Sequence, residues 1–441
     1  MFYIVESEKQ LEVLENYGDQ GGYIEVIPNN DNIHPKLAST VAVYLRPLNH
    51  EKGYIIPIDH DEGLCISKQR LSQVLDKYTT LYTINRKDLL YHINTRGIID
   101  ISLLYSMLEF DRLDIFINNK TFNWFYNKNS TFLDINKLIP LGKHHEKCEE
   151  IFEKIKYLLD IELPSGFDFY NKTCTNVFYL VEQQGLGVYY NAFVELFNPK
   201  DPLLNTINNS VLTSYNLYNA TSRPTNAFNS VNFAAIPKSE KHRKCFKPQN
   251  DKFIEFDFDG YHLRLLCDQI GYTLTGESAH KQLAKIYFNK EEITEEEYSE
   301  AKQLNFQAIY GKIPKKHKNL EIFVKIQQYI DKLWKEFEEK GVISAPISNK
   351  PFTKKLKRMN PAKLMNYVMQ SLETSNNVMI LKDVLQYLQD KQTKVALYTY
   401  DAILFDFSKE DGKETLVELE RIMSKGDKYP VKFKFSQNLV L

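Results

Sequence analysis

Two aspartates that lie far apart along the chain stand where predicted β-strands end. Residues 252–258 alternate between apolar and polar side chains, which puts Glu255 and Asp257 on the face opposite the core. Asp401 lies between two apolar runs that predict a β-hairpin with this acid at its tip. Carboxylates are the hard oxygen ligands that Mg²⁺ prefers, so the pair could serve metal-dependent chemistry. Taken alone, Asp401 has a simpler explanation as a turn-forming aspartate.

A second set of residues combines one cation with two aromatic rings on a single helix face. The predicted helix begins with a capping box at Thr294 and ends at Gly311. Within it Lys302, Phe306 and Tyr310 recur every four residues and share one face. Such a face could bind a nucleotide, with the charge on the phosphates and the rings on the base. The alternative is an amphipathic core stripe with a lysine whose charged end reaches solvent.

Composition and charge describe an ordinary globular chain. Its 441 residues are 43% hydrophobic with a formal net charge of −1, so any grip on nucleic acid must come from local Lys and Arg clusters. No apolar run approaches the ~20 residues needed to span a bilayer, and we expect neither a signal peptide nor a membrane anchor. The cysteines form no C-x-x-C pair, which argues against a zinc ribbon or disulfide framework and favours a reducing, cytoplasmic location. They are Cys65, Cys148, Cys174, Cys245 and Cys267.

The pattern along the chain predicts an α/β domain followed by an α+β domain. Residues 1–160 alternate β-like runs with helical stretches. A turn-rich stretch, Leu163-Pro-Ser-Gly-Phe, precedes a helix predicted over 171–184, and we assign residues 161–220 to a connector. Residues 221–441, with a strand, helices and a late hairpin, make up the second domain. The predicted elements of the first domain include strands at Thr40 to Leu45, Tyr54 to Ile58 and Thr79 to Ile84 and a helix at Ser67 to Lys77.

From about Thr221 to the C-terminus the chain resembles family A DNA polymerases, the bacterial polymerase I and phage polymerase type. The motifs that carry the resemblance occur in the family's order. Thr221-Ser-Arg-Pro with Asn232-Phe-Ala-Ala-Ile-Pro is similar to T-G-R and N-L-Q-N-I-P, and Asp257-Phe-Asp-Gly-Tyr-His-Leu-Arg264 is similar to the first catalytic motif, D-Y-S-Q-I-E-L-R. Ala301-Lys-Gln-Leu-Asn-Phe-Gln-Ala-Ile-Tyr-Gly311 resembles A-K-x-x-N-F-G-x-x-Y-G, Asn366-Tyr-Val-Met-Gln370 resembles N-x-P-x-Q, and Tyr400-Asp-Ala402 stands where the family has H-D-E.

The resemblance implies a right-hand polymerase domain that adds nucleotides by two-metal transfer, with its fingers at about 270–345. Asp257, Asp401 and the carbonyl of Phe258 would hold two Mg²⁺ ions, with Mn²⁺ as an alternative. One ion would lower the pKa of the primer 3′-hydroxyl, and the other would neutralise charge on the leaving pyrophosphate.

The resemblance also implies roles in binding nucleotide and DNA. Lys302 would contact the triphosphate, Phe306 and Tyr310 would shape the pocket for the base pair, and His262 stands at the sugar-facing position. The DNA contacts implied are Arg223 at the primer-terminal minor groove and Asn366, Gln370 and Tyr400 at the duplex or template strand. The alternatives are a solvated surface residue for Arg223 and an ordinary polar helix face for the pair on the helix.

Two basic runs could neutralise backbone phosphates, although most charge runs are solvated faces. The denser run comprises Lys350, Lys354, Lys355, Lys357 and Arg358, and the second comprises Lys312, Lys315, Lys316 and Lys318.

The chain departs from the family at several positions that bind nucleotide. Tyr298 replaces the arginine four residues before the lysine, and Gln307 replaces a glycine. His262 replaces the acid that backs the incoming sugar, and Ala402 replaces the acid after the second catalytic aspartate. We therefore expect catalysis to survive on the two aspartates, with altered triphosphate affinity and sugar discrimination.

Residues 1–160 resemble the family's ribonuclease H-like 3′→5′ exonuclease domain with its chemistry removed. The two acids of its first motif fall on Ile24 and Val26, and Glu25 would point to the opposite face of the strand. The second motif's acid falls on Leu89, with Asp88 one residue early. The helix predicted from His145 to Leu158 contains Cys148, Glu149 and Glu150 but no aspartate. We therefore predict a structural domain without proofreading.

The sequence thus predicts a DNA-directed DNA polymerase that extends primer-template DNA with deoxynucleoside triphosphates. Only about sixty residues lie between the first domain and Arg223, which is room for only a reduced thumb. We therefore expect low processivity for the chain alone, which a processivity or replisome partner could remedy. The resemblance favours a bacteriophage or mobile-element source, hence the host cytoplasm. Two alternatives stay open: a ribonucleotide-tolerant or RNA polymerase, because of His262, and a non-catalytic DNA-binding replication scaffold.

Overall fold

The computed structural model forms two compact units, one from residues 1–218 and 226–232 and one from 219–225 and 233–441. The predicted division into 1–160, 161–220 and 221–441 remains a prediction. The residues that the structure describes are 3–117, 134–198, 206–207, 209–226, 231–237, 239–275, 278–310, 313 and 315–441.

The first unit alternates strands and helices, as its sequence pattern predicts. Several helices begin at a Ser, Asn or Asp whose side chain accepts a hydrogen bond from an amide of the first turn, as at Ser67 and Asp100. Its strands are β1 (Tyr3–Ile4), β2 (Gly22–Pro28), β3 (Thr40–Pro47), β4 (Tyr54–Pro57), β5 (Leu81–Thr83), β6 (Ile98–Asp100), β7 (Leu186–Val188), β8 (Thr206–Ile207), β9 (Ser210–Val211) and β10 (Tyr215–Asn216). Its α-helices are α1 (Glu8–Glu15), α2 (Lys68–Leu75), α3 (Arg86–Leu89), α4 (Ile101–Glu109), α5 (Leu113–Ile117), α6 (Leu141–Ile155), α7 (Thr175–Val181) and α8 (Tyr190–Phe197).

A six-stranded mixed sheet forms the centre of the first unit, in the order β1-β4-β3-β2-β5-β6. The strands β2, β3 and β4 pair antiparallel, whereas β5 and β6 continue in parallel beyond β2. One face packs on α1 and α2 through residues such as Ile24, Leu71 and Val74. On the other face, the ring of Tyr23 lies 5.4 Å from that of Phe152 in α6. Both faces of the sheet are therefore covered, which explains why β3 is buried along its whole length.

The helix predicted over 171–184 is present, but its bounds and its first turn differ from the prediction. The segment begins with a π-helical turn, Phe169–Cys174, and α7 then ends at Val181. In the turn, the Asn171 side chain accepts from the Asp100 amide at 3.0 Å and donates to the Ile98 carbonyl at 2.8 Å. These bonds to β6 hold the wider turn, and they depend on tertiary contacts that periodicity cannot reveal.

The second unit is an antiparallel sheet with long helices. Its sheet has the strand order β16 (Lys394–Thr399), β17 (Ala402–Phe407), β13 (Lys252–Phe258) and β18 (Val431–Ser436). The strands from 225 onward are β11 (Thr225–Asn226), β12 (Phe246–Lys247), β13 (Lys252–Phe258), β14 (Val342–Ser344), β15 (Pro351–Thr353), β16 (Lys394–Thr399), β17 (Ala402–Phe407) and β18 (Val431–Ser436). The helices are α9 (Glu240–Arg243), α10 (Tyr261–Ile270), α11 (Ala279–Phe288), α12 (Glu295–Ile309), α13 (Glu321–Lys340), α14 (Pro361–Tyr387) and α15 (Glu414–Ser424).

The predicted strand, hairpin and capped helix of the second unit are confirmed. Ile254, Phe256 and Phe258 of β13 are buried, and Glu255 and Asp257 on the other face are only partly buried. Helix α12 starts with the capping box at Thr294 and ends at Ile309. The predicted stop signals Gly311 and Pro314 lie outside the described residues. None of the helices in the described ranges is long and apolar enough to cross a membrane.

Candidate active site

The structure brings Asp257 and Asp401 to the same edge of the second unit's sheet. Asp257, near the end of β13, pairs across the ladder with Ala402 of β17. Asp401 immediately precedes Ala402 in the turn, and the amide of Phe258 donates to the carbonyl oxygen of Asp401 at 3.0 Å. Asp401 thus lies next to the residue that faces Asp257 across the ladder, and its charge acts on the Asp257 carboxylate and raises its pKa. The two acids therefore lie within electrostatic reach of each other.

At both acids, burial and the charges of other acids outweigh the nearby positive charges. Burial raises the pKa of Asp257 to about 6, with further increases from the charges of Asp401 and Glu255. Asp401 is exposed at the turn, but neighbouring atoms partly shield its carboxylate from water. This desolvation, together with the charge of Glu373, raises the pKa of Asp401. Two carboxylates held together at this cost are well suited to a divalent cation.

The donor set fits Mg²⁺ better than a metal caged by side chains. Within the described part of the chain, no group of three or more His, Cys, Asp or Glu side chains is placed to hold a metal ion. Mg²⁺ in phosphoryl-transfer sites commonly takes one or two carboxylates and completes its shell with water and substrate phosphates. Asp257, Asp401 and a backbone oxygen suit that coordination.

Replacing Asp257 by asparagine is expected to stabilise the metal-free protein at pH 7.5. The raised pKa means that ionising Asp257 costs more free energy in the folded state than in the unfolded state. This cost to stability is absent below the unfolded-state pKa of 3.8 and complete above about pH 6. Asp257→Asn removes this penalty, and we expect a gain of about 1 to 2 kcal/mol at pH 7.5 that vanishes near pH 4. Thermal unfolding with EDTA at both pH values measures it. A loss of stability at pH 7.5 would contradict the electrostatic description.

Glu373, near the middle of α14, is a third acid beside the pair and was not singled out from the sequence. It is 1% exposed. Its carboxylate forms an ion pair with Arg223, whose Nε lies 2.9 Å away, and it also lies 3.0 Å from His262 Nε2. Arg223 Nη2 also donates to it at 3.4 Å. Arg223, predicted to contact the primer, and His262, predicted to face the sugar, therefore contact the same buried carboxylate near Asp401.

The turn that carries Asp401 is held from below by α14. Tyr400 adopts a left-handed backbone conformation with φ of 64°, and the Asn377 side chain donates to its carbonyl oxygen at 2.6 Å. Asn377 also donates to the hydroxyl of Tyr398 at 3.0 Å. The guanidinium of Arg223 lies 3.8 Å from the centre of the Tyr400 ring. Asn377 thus positions the turn, and Arg223 connects it with Glu373.

Hydrogen bonds connect Asn366 and Gln370, the pair predicted to contact the duplex or template strand, with the segment that contains Arg223. Gln370 donates to Asn366 at 3.1 Å along the face of α14, and Thr221 donates to the Gln370 oxygen at 3.1 Å. Next to Thr221, Ser222 is buried with φ of 56° where the family motif has glycine. The chain therefore keeps a left-handed turn here with a non-glycine residue.

On α12 the predicted nucleotide-binding residues face solvent rather than a core. Phe306 and Tyr310 are 43% and 42% exposed, and Lys302 is also exposed. The alternative of a core stripe is therefore wrong. A residue missed from the sequence, His280 of α11, packs against this helix, with its ring 6.0 Å from that of Phe306 and its Nδ1 3.0 Å from the Asn305 amide nitrogen.

The denser basic run divides into one buried and four exposed residues. Lys350 has no exposure, and its ammonium lies 2.5 Å from Ser222 Oγ and 3.4 Å from the Asn219 carbonyl. It therefore cannot contact a phosphate, contrary to the prediction. The four exposed members are Lys354, Lys355, Lys357 and Arg358. In the second run Lys315 and Lys318 are exposed, Lys312 lies outside the described residues, and so does the side chain of Lys316.

In the segments predicted to resemble exonuclease motifs, Glu25, Asp88 and Glu149 form hydrogen bonds within the first unit. Ile24 and Val26 contact the hydrophobic core, and Glu25 points the other way, as predicted, where it accepts from the Ile84 amide at 2.7 Å. Asp88 accepts from the Asn85 side chain at 2.7 Å. In α6, Glu149 accepts from the Tyr44 hydroxyl at 2.8 Å and also pairs with Arg46.

Comparison with known proteins identifies the fold. No protein-family model matches the chain, and no curated protein matches its sequence. Among solved structures, the POL domain of Pol1 from M. smegmatis, in a complex with DNA primer-template and dNTP, aligns with a TM-score of 0.70 at 12% identity. The alignment covers 99% of this chain and 99% of that one. The chain therefore has a mixed α/β, multidomain architecture with the fold of a polymerase domain.

Proposed function

We propose that this chain is a template-directed DNA polymerase of the family A type, which extends a primer by joining deoxynucleoside triphosphates to its 3′ end. The observation that carries the proposal is the convergence of Asp257 and Asp401 at one sheet edge, in a chain with a polymerase-domain fold. Neither carboxylate accepts a hydrogen bond from another residue in the described part of the chain, whereas Asp406 and Asp259 accept from the amides of Gln249 and Ala279.

Asp257, Asp401 and the backbone carbonyl of Phe258 would hold two Mg²⁺ ions, or Mn²⁺ in their place. When bound, the ions activate the primer hydroxyl and neutralise charge on the departing pyrophosphate. The chain's own contribution is to position the acids. Asn377 fixes the turn of Asp401, and the ladder between β13 and β17 fixes Asp257 against it. A rigid support of this kind keeps the acids ready for cations without rearrangement.

Different residues around Asp257 and Asp401 bind different parts of the nucleotide and the DNA. Lys302 binds the triphosphate, while the exposed rings of Phe306 and Tyr310 close over the base pair. His262, held by Glu373, lies against the sugar. The primer-template contacts are Arg223, Tyr400, Asn366 and Gln370, with phosphate contacts from Lys354, Lys355, Lys357 and Arg358.

The first unit acts as an exonuclease-like domain without proofreading. The order of its sheet, with three antiparallel strands followed by two parallel ones, supports a ribonuclease H-like origin. Its acids in the three motif segments are engaged in hydrogen bonds that build the fold. A reduced thumb, low processivity and a processivity partner are further parts of the proposal.

A ribonucleotide-tolerant or RNA polymerase is the second candidate, and it rests on His262. An imidazole paired with Glu373 replaces the acid expected beside the sugar, so the polarity of that contact differs. Extension with rNTPs at a rate comparable to that with dNTPs would favour this candidate.

The experiment is single-nucleotide extension on four templates that differ only in the next base. We expect wild-type protein with Mg²⁺ to add only the complementary dNTP, and to leave a mismatched primer intact when nucleotides are withheld. Addition without regard to the template, or DNA binding without addition, would refute polymerisation and favour the scaffold alternative. Shortening of the mismatched primer that Asp88→Ala abolishes would refute the loss of proofreading alone.

A further inference from the structure

A lysine on the last strand lies beside the candidate metal site on the side away from Asp401. Strand β18 pairs antiparallel with β13, and its Lys432 stands directly opposite Asp257. Lys434 stands opposite Glu255 in the same way. Residues directly opposed on paired strands project to the same face of the sheet. Asp257 is therefore flanked by the turn of Asp401 on one side and by Lys432 on the other.

The ammonium of Lys432 is anchored but accessible. Its Nζ donates to Asp259 Oδ2 at 2.6 Å, while the side chain remains 61% exposed. Asp259 is itself fixed, because it accepts from the Ala279 amide at 2.9 Å at the start of α11. An ammonium has three N–H donors, so Lys432 can bind a further anion without leaving Asp259.

Lys432 and Lys302 belong to different elements and act on the same neighbour. Burial lowers the pKa of His280, and the positive charges of Lys302 and then Lys432 lower it further. The pKa of Lys432 is raised chiefly by its bond to Asp259, with smaller effects of Tyr298 and Asp257. Asp259 also links Lys432 to the first turn of α11, because it accepts from the Ala279 amide, and the next residue, His280, contacts Asn305 of α12. Lys432 therefore lies near both Asp257 and the helix that carries Lys302.

We propose that Lys432 is a second phosphate-binding cation of the nucleotide site, in addition to Lys302. The proposal deepens the function proposed above and rests on it. A nucleoside triphosphate carries about four negative charges near neutral pH, and phosphate recognition commonly uses several donors. Helix α12 offers Tyr298, not a cation, one turn before Lys302. Lys432 supplies a charge that α12 lacks, and it would hold the β- and γ-phosphates and the pyrophosphate after transfer.

The test compares Lys432→Met with Lys434→Met, which removes a lysine from the same strand and the same face. Tripolyphosphate binding to the full chain, measured by calorimetry without DNA, reports on the site even if no primer is extended. We expect Lys432→Met to weaken it about tenfold, Lys434→Met to change it less than twofold, and Lys432→Arg to restore most of it. The KM for dNTP and pyrophosphate inhibition should change in parallel, with kcat and primer-template affinity nearly constant.

Several results would overturn the inference. Wild-type protein that binds no tripolyphosphate, or Lys432→Met and Lys434→Met variants with equal affinity, would leave Lys432 as a structural partner of Asp259. A drop in thermal stability and kcat with unchanged KM would show the same. Equal weakening of primer-template binding would assign Lys432 to DNA instead. If wild type binds tripolyphosphate through Lys432 but extends no primer, the proposed function fails while the phosphate site stands.

Discussion

Asp257→Asn and Asp401→Asn are each expected to slow nucleotide addition at least about a thousandfold under saturating dNTP and DNA. Asparagine keeps the size of the side chain but removes the negative charge that attracts the cations. The two acids lie at one sheet edge, and the charge of Asp401 raises the pKa of Asp257. Loss of either one therefore weakens the whole site. Single-turnover primer extension measures the effect.

Glu255→Gln is the matched control, because Glu255 lies two residues before Asp257 on the same face of β13. Burial raises its pKa too, so it resembles Asp257 in environment. It lies two residues further along the ladder from Asp401 than Asp257 does, opposite Leu404. We expect its rate to stay within about threefold of wild type. A similar loss in all three variants would indicate a general effect of charge, and no loss in the aspartate variants would refute the proposed chemistry.

Glu373→Ala is expected to lower the free energy of unfolding by about 2 to 4 kcal/mol and to impair primer extension. The substitution leaves Arg223 and His262 without the buried anion that both contact. Because Arg223 also stacks on Tyr400, its release should disturb the turn that carries Asp401. Denaturant unfolding and single-turnover extension measure the two effects.

A double-mutant cycle with Arg223→Ala separates the ion pair from simple loss of packing. If the two side chains act together, the double variant should be less destabilised than the sum of the single variants by about 1 to 3 kcal/mol. Glu373→Gln, which keeps the shape, should retain the packing but lose the coupling. Additive effects would mean that Glu373 contributes only volume to α14.

The sequence predicts well those parts of the site that depend on local patterns. Strand β13 and the hairpin around Asp401 follow from alternation over a few residues, and the start of α12 follows from a capping box. The exposure of Phe306 could not be predicted in this way, because periodicity shows which residues share a helix face but not whether that face meets solvent or the core. The pairing of β18 with β13, which brings Lys432 to Asp257, joins segments far apart in the chain.

The supporting residues on helix α14 could not be predicted from the sequence. Residues 371–378 are all buried, although most of them are polar. A polar run within a helix normally indicates a solvated face, and only tertiary packing turns Glu373 and Asn377 into supports of the site. Lys350 is the reverse case, since it looks like its exposed neighbours in the basic run but is fully buried. Burial of a charged side chain is decided by partners distant in sequence.

The most direct test of the central claim is to count bound Mn²⁺ by electron paramagnetic resonance, in the presence of primer-template DNA and a non-hydrolysable dNTP. If Asp257 and Asp401 share a pair of cations, wild-type protein should bind two spin-coupled ions. Asp257→Asn and Asp401→Asn should lose that coupled signal, and Glu255→Gln should keep it. Two coupled ions in either aspartate variant, or none in wild type, would contradict the account.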